Sequence, residues 1–203
     1  MNYIGPKVRL SRRVGLAITP KAARIMERNP NPPGQGPRHR SMRRTQTSDY
    51  KLQLIEKQKL RYQYNIHERQ LRNYFKKAGR KAGNTADNLI GLLETRLDAV
   101  VLRAGLARTV YAARQYVSHK HITVNGKRIN IPSYQVKAGD TVAVREESQK
   151  IACFRESLAG SRPAPPYLQV SADNMSIRLM TVPLRQDVPV VCEIPMVIEY
   201  YSK

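Results

Sequence analysis

The sequence is short of several residue types, and each shortage excludes a class of protein. Its 203 residues include no tryptophan, two cysteines, and 15 acidic residues against 36 lysines and arginines. Cys153 and Cys192 are isolated from each other, so they predict neither a disulfide framework nor a zinc site. Aromatic residues make up only 6% of the chain, a composition that favours small cores and long basic extensions.

Long apolar runs are also absent. A membrane-spanning helix needs roughly 18 or more consecutive apolar residues, whereas the longest runs here, such as 99–102 and 188–191, are short. Residues 14–18 contain Gly15 and are soon followed by Pro20, which leaves them too short for the apolar core of a secretory signal. The sequence therefore predicts no membrane association and a protein that stays where it is made.

Positive charge is the dominant feature of the composition. The net charge is +21, distributed as +10 over residues 1–44, +5 over 45–95 and +6 over 96–150, while 151–203 is neutral. An excess of this size indicates a polyanionic partner. The neutral last quarter is typical of packing or protein-facing surface.

Residues 1–44 are predicted to form an extended basic arm. Their second half contains NPNPPGQGP, residues 29–37, in which proline and glycine oppose both helix and sheet. Basic arms of this kind commonly become ordered against nucleic acid. Two arginines at the end of the arm, Arg43 and Arg44, are therefore predicted to contact nucleic acid.

Residues 45–95 are predicted to form a helical domain. Ser48 is a candidate N-cap, and Leu52, Ile55 and Leu60 can share one helix face. A second helix is predicted from about Ile66, and a third runs from residue 85 towards 102. Lys57 is expected to be a solvated charge. The predicted nucleic-acid contacts of this domain are Lys51, Lys59, Arg61, Arg69, Arg72, Lys76, Lys77 and Arg80.

Residues 96–150 are predicted to form a small module of two helices and short strands. Thr109 can cap its second helix, and Asn125-Gly126 after a strand-like run predicts a type I′ hairpin. Further strands are expected at 134–136 and 141–144. The predicted nucleic-acid contacts of the module are Arg108, Thr109, Arg114, His119, Lys120, Asn125, Lys127 and Arg128.

The predicted fold class is therefore α+β, a helical domain joined to a module with a short mixed or antiparallel sheet. Residues 151–185 are predicted to be a connecting segment that is partly strand. Residues 186–203, rich in valine and isoleucine, are predicted to return and pack on the helical domain.

Several segments together resemble a known family. Residues 96–129, RLDAVVLRAGLARTVYAARQYVSHKHITVNGKRI, resemble the RNA-binding module named after small-subunit ribosomal protein four. PPGQG at 32–36, SDYKLQLIEKQKLRYQYNIHERQLRNYF at 48–75, SYQVKAGD at 133–140 and IEYYSK at 198–203 are similar to the bacterial-type family of that ribosomal protein. The likeness covers nearly the whole chain and is weak only in the connecting segment.

The resemblance implies a function as well as a fold. Members of the family bind the five-prime domain of small-subunit ribosomal RNA early in assembly, around a multi-helix junction. They contact small-subunit protein five at an interface that influences decoding accuracy. With proteins three and five they line the tunnel through which messenger RNA reaches the subunit. The resemblance thus implies a place in a ribosome, either cytoplasmic or organellar.

The sequence departs from the family at the positions that bind zinc in many members. Where those members have a Cys-Lys-x-Cys-Arg-Arg run, Val8 and Ser11 replace the two cysteines. His119 and His121 have no third ligand in view. We therefore predict no zinc and no other cofactor.

Two further departures concern RNA contacts. The family's Thr-Arg pair in the module is Thr109-Val110 here, so the arginine contact is either missing or supplied by Arg108. The family's Gln-His-Gly after the paired prolines is Gln35-Gly36, without the histidine.

Other classes of protein remain as alternatives. Arg96-Leu97-Asp98 matches the catalytic triplet of one class of pseudouridine synthases, but those enzymes place it after the module in a longer domain, so Asp98 is interpreted as an ion-pair or cap residue. A free-standing RNA-binding regulator would lack the arm and the segments at 48–75 and 198–203. A DNA-compacting protein would share the charge but not need the hairpin. The sequence therefore favours a non-enzymatic ribosomal protein.

Overall fold

Two compact units make up the chain, residues 1–76 with 190–203 and residues 77–189. The computed structural model describes residues 3, 5–34, 48–160, 163–171 and 175–202. The helices of these residues are α1 (Lys7–Val14), α2 (Pro20–Arg28), α3 (Asp49–Gln63), α4 (Glu68–Gly79), α5 (Thr85–Glu94), α6 (Leu97–Arg103), α7 (Val110–Ser118), α8 (Glu146–Gln149), α9 (Ala152–Ala159), a 3₁₀ turn (Arg185–Asp187) and α10 (Ile194–Ser202). The strands are β1 (Ile122–Val124), β2 (Lys127–Arg128), β3 (Thr141–Val144), β4 (Leu168–Ser171) and β5 (Ser176–Leu179).

The first unit begins with two helices, so the prediction of an extended arm is wrong for residues 7–28. The start of α2 has a recognisable signal, because the Thr19 hydroxyl accepts a hydrogen bond from the backbone N–H of Ala22 at 3.2 Å and Pro20 occupies the first helical position. The proline-rich stretch at 29–37 obscured this signal. Arg43 and Arg44 lie outside the described residues.

Lys57 differs most from its prediction as a solvated charge, because only 4% of it is exposed. Its ammonium lies 2.9 Å from the Glu68 carboxylate and 4.2 Å from the centre of the Tyr200 ring. The Tyr201 hydroxyl donates to the same carboxylate at 2.7 Å. These contacts join α3 and α4 to α10, which packs along α3. Leu52, expected on the buried face of α3, is instead 41% exposed.

The second unit begins in the last turn of α4 and includes all of α5, which was predicted to belong to the helical domain. The Asn88 side-chain amide lies within hydrogen-bonding distance of the carbonyls of Ala78, Lys81 and Ala82, at 3.4, 3.3 and 3.2 Å. This helix also contacts α6 and the 3₁₀ turn. The two compact units divide the chain at residues 76 and 77, and the predicted domain limit at residues 95 and 96 stays a prediction.

The single helix predicted from residue 85 towards 102 is two helices. Its backbone breaks at Thr95 and Arg96, because groups there pair with a later segment. The Thr95 carbonyl accepts from the N–H of Val136 at 2.8 Å, and the N–H of Leu97 donates to the carbonyl of Tyr134 at 2.9 Å. Residues 134–136 thus form an isolated bridge with Arg96 instead of the predicted strand.

The five described strands form one antiparallel sheet in the order β2-β1-β3-β5-β4. Val124 lies opposite Val142, and Val142 lies opposite Ile177, so buried side chains share one face. Thr123 and Ala143 form a partly exposed row on the other face. The α+β class with a short antiparallel sheet is confirmed, and β4 and β5 extend the sheet into the connecting segment.

Two carboxylates are buried in the second unit, each beside an arginine. Glu94 accepts from the Arg103 guanidinium with both oxygens, at 2.7 to 3.1 Å, and from the Tyr167 hydroxyl at 3.0 Å. Asp98 accepts from Arg96 at 2.9 and 2.6 Å. Burying a charge is tolerated when a partner of opposite charge accompanies it.

In the part of the chain that the structure describes, no helix has both the length and the apolar character needed to cross a membrane.

The contacts of Lys57 predict that the first unit depends on this buried cation. Replacing Lys57 with methionine leaves Glu68 with fewer donors, so we expect a loss of about 1–3 kcal/mol in the stability of this unit. Hydrogen exchange of the amides in α3 and α10 measures this unit separately. Lys51→Met, at an exposed position of the same helix, is the control and should leave exchange unchanged.

The contacts of Glu68 also predict that the first unit loses stability in acid. Burial alone raises the pKa of the Glu68 carboxyl, but hydrogen bonds from Tyr201 and Lys57 outweigh it and lower this pKa below the ordinary 4.5. A depressed pKa contributes stability above the ordinary value, which is lost as the pH falls through the folded value. The protection factors of the α10 amides, which correct for the slower intrinsic exchange in acid, should therefore fall below about pH 5, and should fall less in Lys57→Met. Equal acid sensitivity in both proteins would contradict this assignment.

Asp98→Asn should destabilise the second unit severely. The variant leaves the guanidinium of Arg96, which is fully buried, without its counter-ion, a change that costs about 3–5 kcal/mol. Urea unfolding followed by circular dichroism measures the effect. Asp87→Asn, in the first turn of α5, should cost less than about 1 kcal/mol. Similar losses in both variants would contradict a structural role for Asp98.

Candidate nucleic-acid interface

The hairpin presents a row of cations at the edge of the sheet. Asn125 and Gly126 have φ values of 48° and 78°, the two positive values that the predicted type I′ turn requires. Lys127 lies opposite Val124 and Arg128 opposite Thr123, so successive cations point to opposite sides of the edge strand. Both are exposed.

A second turn adds a cation to the same edge. The turn at 137–140 leads into β3, which pairs with β1. The Asn125 side-chain amide donates to Asp140 at 2.8 Å, and its oxygen accepts from the N–H of Thr141 at 2.9 Å. Asp140 also accepts from the N–H of Lys137 at 2.9 Å. We define the hairpin edge by its exposed cations, Lys120, Lys127, Arg128 and Lys137.

The two histidines near the hairpin lie in different environments. His119 follows the end of α7 and is exposed, so it is not on a strand. His121 is half-buried, and its Nδ1 lies 2.9 Å from the Ser148 hydroxyl. Burial, with His119 and Arg145 nearby, lowers the pKa of His121. Only His119 is therefore placed to contact a partner.

The first unit presents cations along α4. Arg69, Arg72 and Lys76 are exposed at spacings of three and four residues, which places them along one helix face. We call these three residues the α4 strip. Lys77 and Arg80, also exposed, belong to the second unit, and Lys51 is exposed on α3.

Several predicted contacts instead take part in packing within their units. Lys59 pairs with Glu56 at 2.6 Å, and Arg61 lies 3.6 Å from Glu68. Thr109 caps α7, because its hydroxyl accepts from the N–H of residue 112 at 3.2 Å.

In the module, two predicted arginine contacts also lie beside acidic groups. Arg114 is half-buried and lies 3.7 Å from the buried Asp98, so its guanidinium takes part in the packing of the second unit. Arg108 lies 3.3 Å from Glu156, but both side chains are more than 60% exposed. Surface pairs of this kind contribute little, so Arg108 remains accessible.

Other exposed cations were not predicted. Lys21, Arg24 and Arg28 lie along one face of α2, a spacing that would have been evident had the segment been read as a helix. Lys137 lies in a turn beside Gly139-Asp140, and a basic residue in a turn next to the hairpin could have indicated it. Arg178 is exposed on β5, and no sequence signal marks it.

The positions that hold zinc in many family members do not fit a metal here. The Ser11 side chain is fully buried, and its hydroxyl donates to the carbonyl of Lys7 at 3.1 Å and accepts from the N–H of Ile18 at 3.2 Å. The Val8 side chain offers no donor atom. Among the described residues, no three His, Cys, Asp or Glu side chains are grouped to hold a metal ion.

An α+β module with cations at its hairpin is typical of RNA-binding proteins, and the comparisons with known proteins agree. The family model described as "Ribosomal protein S4/S9 N-terminal domain" matches residues 2–94, and the "S4 domain" model matches residues 95–142. The chain is 51% identical to small ribosomal subunit protein uS4 of Micrococcus luteus, over 97% of this chain and 95% of the relative. It is 45% identical to the uS4 proteins of Thermobifida fusca, over 100% of both chains, and Streptomyces avermitilis, over 100% and 99%.

The chain therefore belongs to the small ribosomal subunit protein uS4 family. This membership confirms the resemblance found in the sequence. It also confirms that the chain is a ribosomal protein rather than an enzyme, in agreement with the structural role of Asp98.

Arg114 and Arg128 were both predicted RNA contacts, but Arg114 lies beside Asp98 whereas Arg128 is exposed. Arg128→Gln removes an exposed cation, so we expect weaker RNA binding and a salt slope smaller by about 0.7–0.9. Arg114→Gln should leave the salt slope unchanged and destabilise the second unit, because Asp98 loses a cation. Filter binding across a salt series and thermal unfolding measure the two effects. A reduced slope in Arg114→Gln would show that this guanidinium contacts RNA.

Proposed function

We propose that this protein binds small-subunit ribosomal RNA through the hairpin edge and the α4 strip, as a structural constituent of the small ribosomal subunit. The observation behind the proposal is that these cations are exposed, whereas the buried cations lie beside carboxylates. The proposed contacts are Lys51, Arg69, Arg72, Lys76, Lys77, Arg80, Arg108, His119, Lys120, Lys127, Arg128 and Lys137.

The chemistry of these residues suits RNA. The major groove of an A-form helix is too narrow for side chains, so proteins recognise phosphates, 2′-hydroxyls and junction shape. Arginine holds phosphate with two parallel hydrogen bonds and stacks on exposed bases. The α4 strip presents such groups on a helix, and the hairpin edge presents them on an edge strand and the neighbouring turns.

The finer role rests on the family resemblance. We propose that the chain binds the five-prime domain early in assembly and contacts small-subunit protein five, at an interface that affects decoding accuracy. We also propose that with protein three it borders the tunnel through which messenger RNA arrives. It would act in a cytoplasmic or organellar ribosome. Because Val8 and Ser11 do not fit a metal, we propose that it does so without zinc.

A free-standing RNA-binding regulator is the remaining alternative. The full-length match to uS4 proteins opposes it, because the similarity covers both units and not the module alone. The two functions differ in their RNA target.

The test is filter binding to a five-prime-domain ribosomal RNA transcript across a salt series, with excess transfer RNA and duplex DNA as competitors. We expect a complex that survives both competitors near physiological salt and weakens as phosphate contacts are screened. An α4 triple variant, Arg69→Gln/Arg72→Gln/Lys76→Gln, should bind more weakly and with a smaller slope.

Two controls separate specific from general attraction. Arg155→Gln removes an exposed charge outside both proposed surfaces and should change binding little. A transcript of another ribosomal RNA domain should compete poorly. If every nucleic acid competed equally and with the same salt slope, the protein would be only a basic chain and the proposal would be wrong.

A further inference from the structure

We infer that Asp140 is a positioning residue for RNA binding: by holding Asn125 and the turn at Lys137 together, it fixes Lys127, Arg128 and Lys137 of the hairpin edge in one arrangement. This inference rests on the proposed function and deepens it. According to this inference, Asp140 strengthens RNA binding although it is an acidic residue at the edge where RNA would bind.

The hydrogen bonds at this point form a closed set. One Asp140 oxygen accepts from the Asn125 amide at 2.8 Å and the other from the N–H of Lys137 at 2.9 Å. The Asn125 oxygen accepts from the N–H of Thr141, and the N–H of Asn125 donates to the carbonyl of Thr141 at 2.8 Å. The side-chain nitrogen, the side-chain oxygen and the backbone N–H of Asn125 thus each have a partner within the protein.

The position of Asn125 explains why such a set is useful. Its φ of 48° is in the left-handed region, which asparagine and aspartate tolerate better than most residues. The turn projects from β2, a two-residue strand at the edge of the sheet. Few backbone bonds therefore restrain Lys127 and Arg128, and the side-chain bonds to Asp140 supply the missing restraint.

Asp140 is ionised at neutral pH. The N–H of Lys137 and the amide of Asn125 lower the pKa of its carboxyl. A carboxylate beside phosphates repels them, so simple electrostatics assigns Asp140 an unfavourable effect on binding. The positioning role assigns it the opposite sign, which makes the two accounts separable.

The experiment measures the affinity of the full chain for the five-prime-domain transcript in three variants. In Asp140→Asn, the amide offers one acceptor oxygen in place of two, so the set breaks while a negative charge is removed. Asn125→Asp places two carboxylates against each other. The double variant, Asn125→Asp/Asp140→Asn, can restore all the bonds, because the carboxylate at 125 accepts from the amide at 140 and from Thr141.

We expect Asp140→Asn to bind about fivefold to tenfold more weakly, the effect of losing roughly one hydrogen bond. Adding Asn125→Asp to this variant should restore the affinity, although it adds a negative charge. If Asp140→Asn bound as tightly as the unchanged protein or more tightly, or if the second substitution weakened binding further, the inference would be overturned.

Controls separate this result from other failures. Glu146→Gln removes one exposed negative charge elsewhere in the same unit and should bind no more weakly than the unchanged protein. Hydrogen exchange should show faster exchange at Thr141 in Asp140→Asn, with the buried strand β5 still protected. Loss of protection throughout the unit would instead indicate unfolding, and the double variant then decides, because it should recover both protection and affinity. Failure of the unchanged protein to bind the transcript specifically would count against the proposed function itself.

Discussion

Repulsion between like charges is the constraint around which both units are built, because 36 basic residues share the chain with 15 acidic ones. A cation leaves water only beside a carboxylate or an aromatic face. Asp98 and Glu94 meet this need in the second unit, and Glu68 meets it in the first. The buried carboxylates therefore lie where helices meet. Glu94 and Glu68 also accept hydrogen bonds from Tyr167 and Tyr201, which are far from them in the sequence.

The same constraint determines which cations stabilise the fold and which lie on the surface. Those beside buried carboxylates stabilise the fold and are held by it, as Arg114 is held by Asp98. Those without such partners lie on the surface of α2, α4 and the hairpin, where a polyanion can reach them. Asp140 does not follow this division, since it lies among exposed cations. Its hydrogen bonds to the hairpin give it a structural reason to be there.

Local patterns in the sequence predicted much of this structure. The Thr109 cap, the Asn125-Gly126 turn and the class of fold depend on neighbouring residues, and the family resemblance depends on segments read directly. The prediction failed where distant residues decide the outcome. Lys57 is buried by tyrosines from the C-terminus, and the helix breaks at Arg96 because a segment about 40 residues later pairs with it. Whether an individual cation is exposed also depends on distant residues. The sequence therefore predicted which segments are basic better than it predicted which cations are exposed.

The most direct test of this division between buried and exposed cations is chemical acetylation of lysines. It is measured by mass spectrometry in the free chain and in its complex with the five-prime-domain transcript. Lys76, Lys127 and Lys137 should react in the free protein and be protected in the complex, whereas Lys57 should be unreactive in both. Continued reactivity of Lys127 and Lys137 in the complex would contradict the account, as would a reactive Lys57 in the free chain.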